Sequence, residues 1–223
     1  MNNTPKISIV TVTYNCVSTV ERTIRNVLGQ TYPNIEYIVI DGASTDGTRE
    51  TIERYADRFA YYISESDRGI YDAMNKGIKA ATGEWINFMN AGDLFANADT
   101  IEKVFSDKVY GNEVGVIYGD FILKYQWGNV YKRGLEDGSF RFCHQAEFVR
   151  LGCHRANPFD ISHTIAADCK VLNEICSQGY HKEYVNIPIA VYQADTGVSS
   201  QNRLRLYKEN HKAMGGNTIR YRF

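Results

Sequence analysis

Three aspartates follow or precede predicted elements at positions suited to binding chemistry. Asp41 ends the apolar run IEYIVID, Asp67 comes just before a predicted helix, and Asp93 follows the strand-like run WINF and a short turn. Gly92 allows that turn to be sharp. Because the carboxyl ends of parallel strands meet at one edge of an open α/β sheet, we expect these carboxylates to share that edge. A nucleotide or a metal ion could bind there.

Each acidic residue also has a purely structural interpretation. Asp41 and Asp46 could stabilise the turn in DGASTDGT and cap the following helix, and for Asp46 the turn is the favoured interpretation. The segment is not a calcium loop, because Ala43 stands where an oxygen ligand is needed and no helix precedes it. Asp67 and Arg68 taken alone could form a surface ion pair of little energetic weight.

Apolar periodicity and turn residues predict the elements that position these side chains. Ser18 and Glu21 form a capping-box pattern, which predicts that a helix begins at Ser18. The alternation in INFMNAGDLF predicts a half-buried strand before Asp93. The predicted strands are 6–15, 35–41, 61–64 and 86–88, and the predicted helices are 18–30, 48–55 and 70–81.

The alternation of strands and helices over about 90 residues favours right-handed crossovers and a mostly parallel sheet with helices on both faces. The pattern then loosens. A helix at 100–105 and a strand at 115–118 are followed by a predicted hairpin that turns at 127–129. The second half is therefore α+β in character, and no linker separates the halves. We expect one domain, 1–223, since domains commonly run to about 200 residues.

Composition narrows the function classes. The chain has 223 residues, 43% hydrophobic content and a net charge of −1, which is typical of a globular protein and gives no basic balance for nucleic acid. Five cysteines without CxxC spacing favour reduced thiols. No run approaches the roughly 18 apolar residues of a membrane span, so a cytoplasmic protein is expected. P-loop and GxGxxG signatures are absent, which argues against enzymes that use those loops.

Four blocks in order carry a family resemblance: IVTVTYN (9–15), IEYIVIDGASTDGT (35–48), DRGIYDAMNKGIKAATGEWINFMNAGD (67–93) and FDISHTIAADCKVL (159–172). Together they resemble the inverting family-2 glycosyltransferases, which have the GT-A fold. The GIYDAMNKG run and the NAGD turn are most similar to bacterial members that build exopolysaccharides, including colanic-acid-type enzymes. The resemblance covers most of the chain. It implies an α/β GT-A fold with a nucleotide-sugar-binding half at about 1–110 and an acceptor-binding half at about 111–223.

The resemblance also implies roles for individual residues. Asp41 would contact the base of the nucleotide, with Asp67 and Arg68 beside it. The NAGD turn would replace the family's acidic metal-binding motif, with Asp93 as the ligand of a Mn or Mg ion. Many relatives have Asp at the positions of Asn90 and Gly92, and this departure bears on the metal site. One carboxylate can hold a divalent cation whose other ligands are phosphate and water.

The later block implies the acid–base chemistry. Asp168 matches the carboxylate that removes the proton from the acceptor hydroxyl, although an Asp in a first helical turn is also favoured by the helix dipole alone. His144 and Gln145 match a recurrent element of this subgroup and would line the acceptor or diphosphate pocket. A satisfied core histidine accounts for His144 equally well.

The expected activity is therefore transfer of a sugar, with inversion, from a nucleotide-diphosphate donor to a saccharide or lipid-linked saccharide in bacterial surface polysaccharide synthesis. A UDP-sugar is the preferred donor and a GDP-sugar the alternative. The rival from another class is a catalytically silent nucleotide-sugar-binding module, which the missing acidic residues at Asn90 and Gly92 favour. A nucleotidyltransferase is disfavoured because VTYNCVST lacks a Gly-rich basic loop. A processive synthase is disfavoured because no QxxRW motif is present.

The residues from about 201 onward form a basic segment. It contains six cationic residues and a single acidic residue, Glu209. Such a segment could contact an anionic membrane surface at the inner face of the cell membrane, or it could form a solvated helix face. The cations are Arg203, Arg205, Lys208, Lys212, Arg220 and Arg222.

Overall fold

The computed structural model describes residues 4–136, 139–140, 143–163 and 165–195. The basic segment from about 201 onward lies outside these residues. The α-helices are α1 (Val17–Leu28), α2 (Thr48–Glu53), α3 (Ile70–Ala80), α4 (Thr100–Phe105), α5 (Leu151–Ala156) and α6 (Ala167–Ser177). The strands are β1 (Ile7–Thr13), β2 (Ile35–Asp41), β3 (Tyr61–Ser64), β4 (Trp85–Phe88), β5 (Leu94–Phe95), β6 (Val114–Tyr125), β7 (Gly128–Lys132), β8 (Leu135–Glu136), β9 (Ser139–Phe140), β10 (Glu147–Arg150) and β11 (His181–Gln193).

Within these residues a nine-stranded mixed sheet forms the centre of the molecule. Its order is β3-β2-β1-β4-β10-β6-β11-β5, with β7 paired to the far part of β6, and β8 pairs with β9 in a separate small sheet. The first four strands of that order are mutually parallel, whereas β10 runs antiparallel to both of its neighbours. The predicted parallel arrangement is present in the half encoded first along the chain, and the later strands add antiparallel pairs, so the sheet as a whole is mixed.

Helices cover both faces of the sheet, as predicted. The face under α1, α2 and α4 buries one apolar cluster that includes Ile24, Ile52 and Phe105. The face under α3, α5 and α6 buries a second cluster that includes Met74 and Leu172. Burial of apolar side chains on two sides of one sheet is the main favourable term that holds these layers together.

Several predicted boundaries agree with the structure: β2, β3 and α4 have the predicted bounds, and α3 ends one residue early. The prediction of a half-buried strand before Asp93 is wrong. All four residues of β4 are buried, including Asn87 at 1% exposure, because β4 lies between β1 and β10 under helices on both faces. A strand covered on both faces need not alternate in polarity.

The capping box at Ser18 is also wrong. Helix α1 begins at Val17 after Cys16, and no side chain within Ser18–Glu21 caps it. The carboxylate of Asp46, which lies in another loop, caps the helix instead. Its Oδ2 accepts a hydrogen bond from the Val17 N–H at 3.1 Å. Asp46 Oδ1 also accepts from the Thr48 N–H at 3.0 Å, which confirms the turn interpretation for Asp46.

The second half contains the predicted hairpin, with longer strands than expected. Strand β6 extends to Tyr125, which pairs with Gly128, so the turn is formed by Gln126 and Trp127 rather than by 127–129. All five cysteines are free. Among the described residues no helix has the length and apolar character needed to cross a bilayer.

Candidate active site

The chain after β4 makes a tight turn at the carboxyl edge of the parallel strands. The Asp93 N–H donates to the Asn90 carbonyl at 3.0 Å, and Gly92 has φ +105, a conformation that glycine adopts without strain. Helix α1 holds the turn in place. Thr23 Oγ1 accepts from the Gly92 N–H at 2.9 Å and donates to the Asp93 carbonyl at 2.9 Å, while Arg22 donates to the Gly92 carbonyl at 2.8 Å. The backbone that presents Asp93 is therefore fixed by the hydrogen bond within the turn and by two side chains of α1.

The carboxylate of Asp93 joins three segments of the chain. Its Oδ2 accepts from Gln145 Nε2 at 2.8 Å, and its Oδ1 accepts from the Gln193 N–H at 3.2 Å. The side chain is 7% exposed. Burial raises the pKa of Asp93 above its ordinary value, and the hydrogen bonds from Gln145 and Gln193 oppose that rise. Asp93 thus joins the turn after β4 to the segment before β10 and to the end of β11.

His144 connects this turn to the start of α6. Its Nδ1 lies 3.0 Å from Asp168 Oδ2, and its Nε2 lies 3.1 Å from Asn90 Nδ2. Burial opposes the charged imidazolium, but the hydrogen bond to Asp168 and the charge of that carboxylate outweigh it and raise the pKa of His144. The second oxygen of Asp168 accepts from the Cys169 N–H at 2.9 Å. Asp168 is therefore oriented by both its imidazole partner and its own helix.

Asp41 lies on the other side of β1, at the end of β2. Its carboxylate accepts hydrogen bonds from Thr13 Oγ1 at 2.8 Å, from the Ser44 N–H and Oγ at 2.9 and 2.5 Å, and from Ser64 Oγ at 2.6 Å. The side chain has no exposed surface. Burial raises the pKa of Asp41, but these donors outweigh burial and lower it below the ordinary value. The geometry makes Asp41 the group that fixes the loop following β2.

Asp67 approaches that loop from the chain after β3. A Cβ atom placed on Gly42 would lie 2.5 Å from Asp67 Oδ2, so a larger residue at this position would displace the carboxylate. Asp67 Oδ1 accepts from the Gly69 N–H at 2.8 Å. Arg68 is largely exposed and pairs with Asp72 at 3.0 Å on α3. The structure therefore places Asp67 against the Asp41 loop and leaves the Arg68 guanidinium at the surface.

Two groups of residues thus share the carboxyl edge, one on each side of β1. Asp41, Asp67 and Arg68 form the first group, and Asp93, Gln145, His144 and Asp168 form the second. Sequence reasoning missed Tyr14, which directly follows β1 between the two groups. Tyr14 is 66% exposed, and its ring lies next to Gly42, since a Cβ atom placed on Gly42 would be 3.3 Å from Tyr14 Cδ2. The only signal in the sequence was an aromatic residue directly after the β-branched run of β1.

Sequence reasoning also missed Glu147, the first residue of β10. Its side chain is 3% exposed, and burial raises its pKa to about 8, with His144 lowering and Asp168 raising it by smaller amounts. Glu147 lines a small cavity of about 20 Å³ together with Asp168 and His154, and that volume has room for one water molecule. No sequence signal distinguishes Glu147 from the polar residues of an exposed strand, because its burial depends on the sheet order.

The second group can be tested as a site for a divalent cation. The described residues contain no cluster of three or more His, Cys, Asp or Glu side chains that could hold a metal ion. They do contain two oxygen ligands in one turn, the Asp93 carboxylate and Asn90 Oδ1. The latter is buried and has no hydrogen-bond partner in the described part of the chain. Carboxylate and amide oxygens are ligands that Mg and Mn prefer, so the donor set fits a cation that keeps water or phosphate as its remaining ligands.

Comparison with known proteins decides the family. The family profile "Glycosyl transferase family 2" matches residues 8–175, which is most of the chain. The chain belongs to glycosyl transferase family 2. It is a glycosyltransferase, and the resemblance inferred from the four sequence blocks is confirmed at the level of the family.

Two relatives are glycosyltransferases whose names refer to bacterial biosynthetic pathways. A PGL/p-HBAD biosynthesis glycosyltransferase of Mycobacterium bovis is 28% identical over 205 residues, covering 88% of this chain and 80% of the relative. A putative teichuronic acid biosynthesis glycosyltransferase of Bacillus subtilis, TuaG, is 33% identical over 102 residues, covering 44% of this chain and 40% of the relative.

Solved structures share the fold. The mannosyltransferase PcManGT from Pyrobaculum calidifontis, in complex with GDP-Man and Mn2+, superposes with a TM-score of 0.74 at 21% identity over 96% of this chain. S. aureus TarS 1–349 in complex with UDP superposes with a TM-score of 0.74 at 16% identity over 96% of this chain. The chain spans 65% of the first protein and 67% of the second. At this identity the match establishes the GT-A fold.

Proposed function

We propose that this glycosyltransferase moves a sugar from a nucleotide-diphosphate donor to a saccharide or lipid-linked saccharide acceptor, with inversion, in bacterial surface polysaccharide synthesis. The named relatives in glycoconjugate and teichuronic acid synthesis support this class of pathway, and an exopolysaccharide of the colanic-acid type is the specific proposal. The observation that carries the proposal is the pair formed by Asp168 and His144, which lies beside the Asn90–Asp93 turn at the edge where donors bind.

The donor would bind across the first group of residues. Asp41 fixes the loop after β2 from within, and Asp67 borders that loop at Gly42. In this proposal the base contacts that loop and Asp67, Arg68 lies beside it at the surface, and the exposed ring of Tyr14 supplies a stacking surface. A UDP-sugar is the preferred donor, and a GDP-sugar is the alternative. Structures of the same fold with UDP, UDP-GlcNAc and GDP-Man are consistent with both.

The diphosphate would lie at the Asn90–Asp93 turn. Asp93 and Asn90 Oδ1, which has no partner among the described residues, would hold a Mn or Mg ion there, and the Mn2+ in the mannosyltransferase structure supports the use of a divalent cation. When bound, such an ion neutralises charge that develops on a departing diphosphate. Gln145 keeps the Asp93 carboxylate in position by donating from its Nε2 at 2.8 Å.

Asp168 would act as the general base. A sugar hydroxyl is a poor nucleophile at neutral pH, and a positioned carboxylate that takes its proton contributes roughly 10²- to 10⁴-fold to the rate. The Nδ1–H of His144 donates to Asp168 Oδ2, which fixes the direction of the carboxylate. Attack by the deprotonated hydroxyl on the anomeric carbon, on the side opposite the diphosphate, inverts the configuration there.

The proposed division of the chain into a donor half and an acceptor half follows from these assigned roles. The donor residues and Asp93 lie within about 1–110, whereas His144, Gln145 and Asp168 lie within about 111–223. A cytoplasmic location, with the basic segment after about 201 against the inner face of the cell membrane, stays a prediction because that segment lies outside the described residues.

A catalytically silent nucleotide-sugar-binding module is the second candidate. It is favoured by one observation: both oxygens of Asp93 already accept hydrogen bonds, from Gln145 Nε2 and from the Gln193 N–H, which leaves fewer lone pairs for a metal ion. The two candidates differ in turnover and agree in donor binding.

The test is a screen of UDP- and GDP-sugars by thermal stabilisation, with and without manganese, followed by an assay of donor hydrolysis. A ligand at 100 times its dissociation constant stabilises the folded state by roughly 2.7 kcal/mol, which the melting temperature detects. Stabilisation with manganese-dependent release of nucleoside diphosphate supports the enzyme. Stabilisation without release supports the silent module, and no stabilisation by any donor contradicts both.

A further inference from the structure

The tip of the β6–β7 hairpin carries a pair of stacked aromatic rings. The rings of Tyr125 and Trp127 lie 4.8 Å apart between centroids with 15° between their planes. Tyr125 covers one face of the indole, yet Trp127 remains 74% exposed. An indole with one supported face and one face open to solvent is a rigid, flat, apolar surface, and burying it against a ligand releases water at a small cost in side-chain entropy.

The hairpin tip is close to the candidate active site. Gln193 donates its backbone N–H to the Asp93 carboxylate, and in the sheet Gln193 is the register partner of Lys124, the residue before Tyr125. The next residue, Ala194, donates to the Lys124 carbonyl at 2.9 Å. One strand, β11, therefore separates Asp93 from the hairpin, and the path from the Asp93 carboxylate to the Trp127 ring is on the order of 20 Å.

The chemistry of the tip favours one kind of occupant. Its sequence, Tyr-Gln-Trp-Gly-Asn over residues 125–129, contains no aliphatic side chain, whereas a loop that inserts into a membrane presents leucine or phenylalanine beside its tryptophan. The rim is polar, because Gln126 and Asn129 are exposed and Asp195 Oδ2 accepts from the Gln126 N–H at 2.6 Å. An aromatic face with a rim of amide and carboxylate groups matches a sugar ring, which has C–H faces and hydroxyl edges.

A second copy of this chain fits the tip less well. The other strongly exposed aromatic of the hairpin, Tyr131, pairs across the strands with Ile122, and its hydroxyl donates to Asp120. Cross-strand partners point to the same face of a sheet, so Tyr131 shares the face of Ile122. Ile122 and Tyr125 are three residues apart on β6 and therefore point to opposite faces, which separates Tyr131 from Tyr125. The apolar surface at the tip is thus confined to one ring pair, far less than a stable dimer interface buries.

We propose that Tyr125 and Trp127 form a saccharide-binding subsite that stacks a sugar ring of an extended acceptor, removed by several residues from the hydroxyl that reacts. This inference rests on the proposed glycosyl transfer and names the acceptor class as an oligosaccharide or the saccharide part of a larger glycan. The subsite adds affinity for long acceptors and takes no part in proton transfer at Asp168.

The test uses the two tryptophans of the chain. Trp85 is 1% exposed in the core, so the tryptophan fluorescence that a soluble quencher can reach comes from Trp127. We expect one or more of cellotetraose, maltotetraose, mannotetraose and chitotetraose to protect this indole from acrylamide quenching, whereas the monosaccharides do not. Calorimetry of the active tetrasaccharide should show about tenfold weaker binding to Trp127→Ala and a partial recovery in Trp127→Phe. Tyr61→Ala removes an exposed aromatic of β3, a strand at the far end of the sheet order, and serves as the matched control with native binding.

Three results would overturn the inference. They are protection by none of the tetrasaccharides, equal tetrasaccharide affinity for wild type and Trp127→Ala, and protection only by anionic phospholipid vesicles or only by increasing protein concentration. Calorimetry with UDP-sugars and GDP-sugars on the same samples distinguishes a failure of the saccharide subsite from a failure of the proposed function. Normal donor binding with a failed saccharide test defeats the subsite alone, whereas the absence of donor binding defeats glycosyl transfer whatever the saccharides do.

Discussion

Replacing Glu147 with glutamine is expected to stabilise the folded protein at neutral pH. Burial raises the pKa of Glu147 from 4.5 to about 8, so between these values the folded protein retains a proton that the unfolded chain releases. The free energy of unfolding then falls by about 1.4 kcal/mol for each pH unit above 4.5, which amounts to about 3 kcal/mol at pH 7. Glutamine carries no such proton and can still accept the Cys143 N–H, which lies 3.4 Å from Glu147 Oε1.

The assay is urea unfolding of wild type and Glu147→Gln across the range from about pH 4 to about pH 8. The two proteins should have similar stability near pH 4, and the variant should gain on the wild type as the pH rises. For a chain of this size the gain corresponds to about 2–4 °C in melting temperature per kcal/mol. A variant that is less stable than wild type at every pH, or a difference that does not change with pH, would refute the reasoning.

Glu36 provides the matched control with the opposite sign. Burial opposes its ionisation, but hydrogen bonds from Ser8 and Thr82 and the ammonium of Lys6 at 2.9 Å outweigh burial and lower its pKa to about 2. The resulting stabilisation is complete above pH 4.5 and is lost as the pH falls toward 2. Glu36→Gln should therefore lose about 3 kcal/mol at neutral pH and little near pH 2.

Two further substitutions test the turn that presents Asp93. Thr23→Val removes the hydroxyl that bonds the Gly92 N–H and the Asp93 carbonyl, so the free energy of unfolding should drop by about 2 kcal/mol and donor affinity should weaken, as measured by urea unfolding and calorimetry. Asp93→Asn removes the only carboxylate of the turn, and manganese-supported transfer should fall by at least about 10²-fold while the protein stays folded. Full turnover by that variant, or by wild type in chelator, would exclude Asp93 as a metal ligand.

The parallel half of the fold could be predicted because its signals are local. Strand β2 and helix α3 have apolar periodicity, and the order of strands and helices implies right-handed crossovers. The start of α1 was predicted to within one residue, but its capping group, Asp46, could not be predicted, because it comes from a loop about 30 residues away. The complete burial of β4 could not be predicted either, because its antiparallel neighbour β10 is encoded about 60 residues later.

The candidate site shows the same division. The position of Asp93 at a strand edge followed from the sequence, but its contacts with Gln145 and Gln193 depend on segments that are brought together only by the folded sheet. The pairing of His144 with Asp168 was not predicted: the resemblance gave the two residues separate roles, and residues 24 apart in sequence carry no spacing signal. Glu147 was missed entirely, since its burial follows from the position of β10 between β4 and β6.

The central claim is that Asp168 takes the proton of the acceptor hydroxyl, and one variant tests it most directly. Asp168→Asn keeps the shape of the side chain and cannot accept that proton. The measurement compares the rate of sugar transfer with donor affinity and melting temperature in the same preparation. The account predicts near-native donor affinity, a folded protein and a transfer rate lower by roughly 10²- to 10⁴-fold. Native transfer in a variant with a lowered melting temperature would show that Asp168 serves only the first turn of α6, and it would contradict the account.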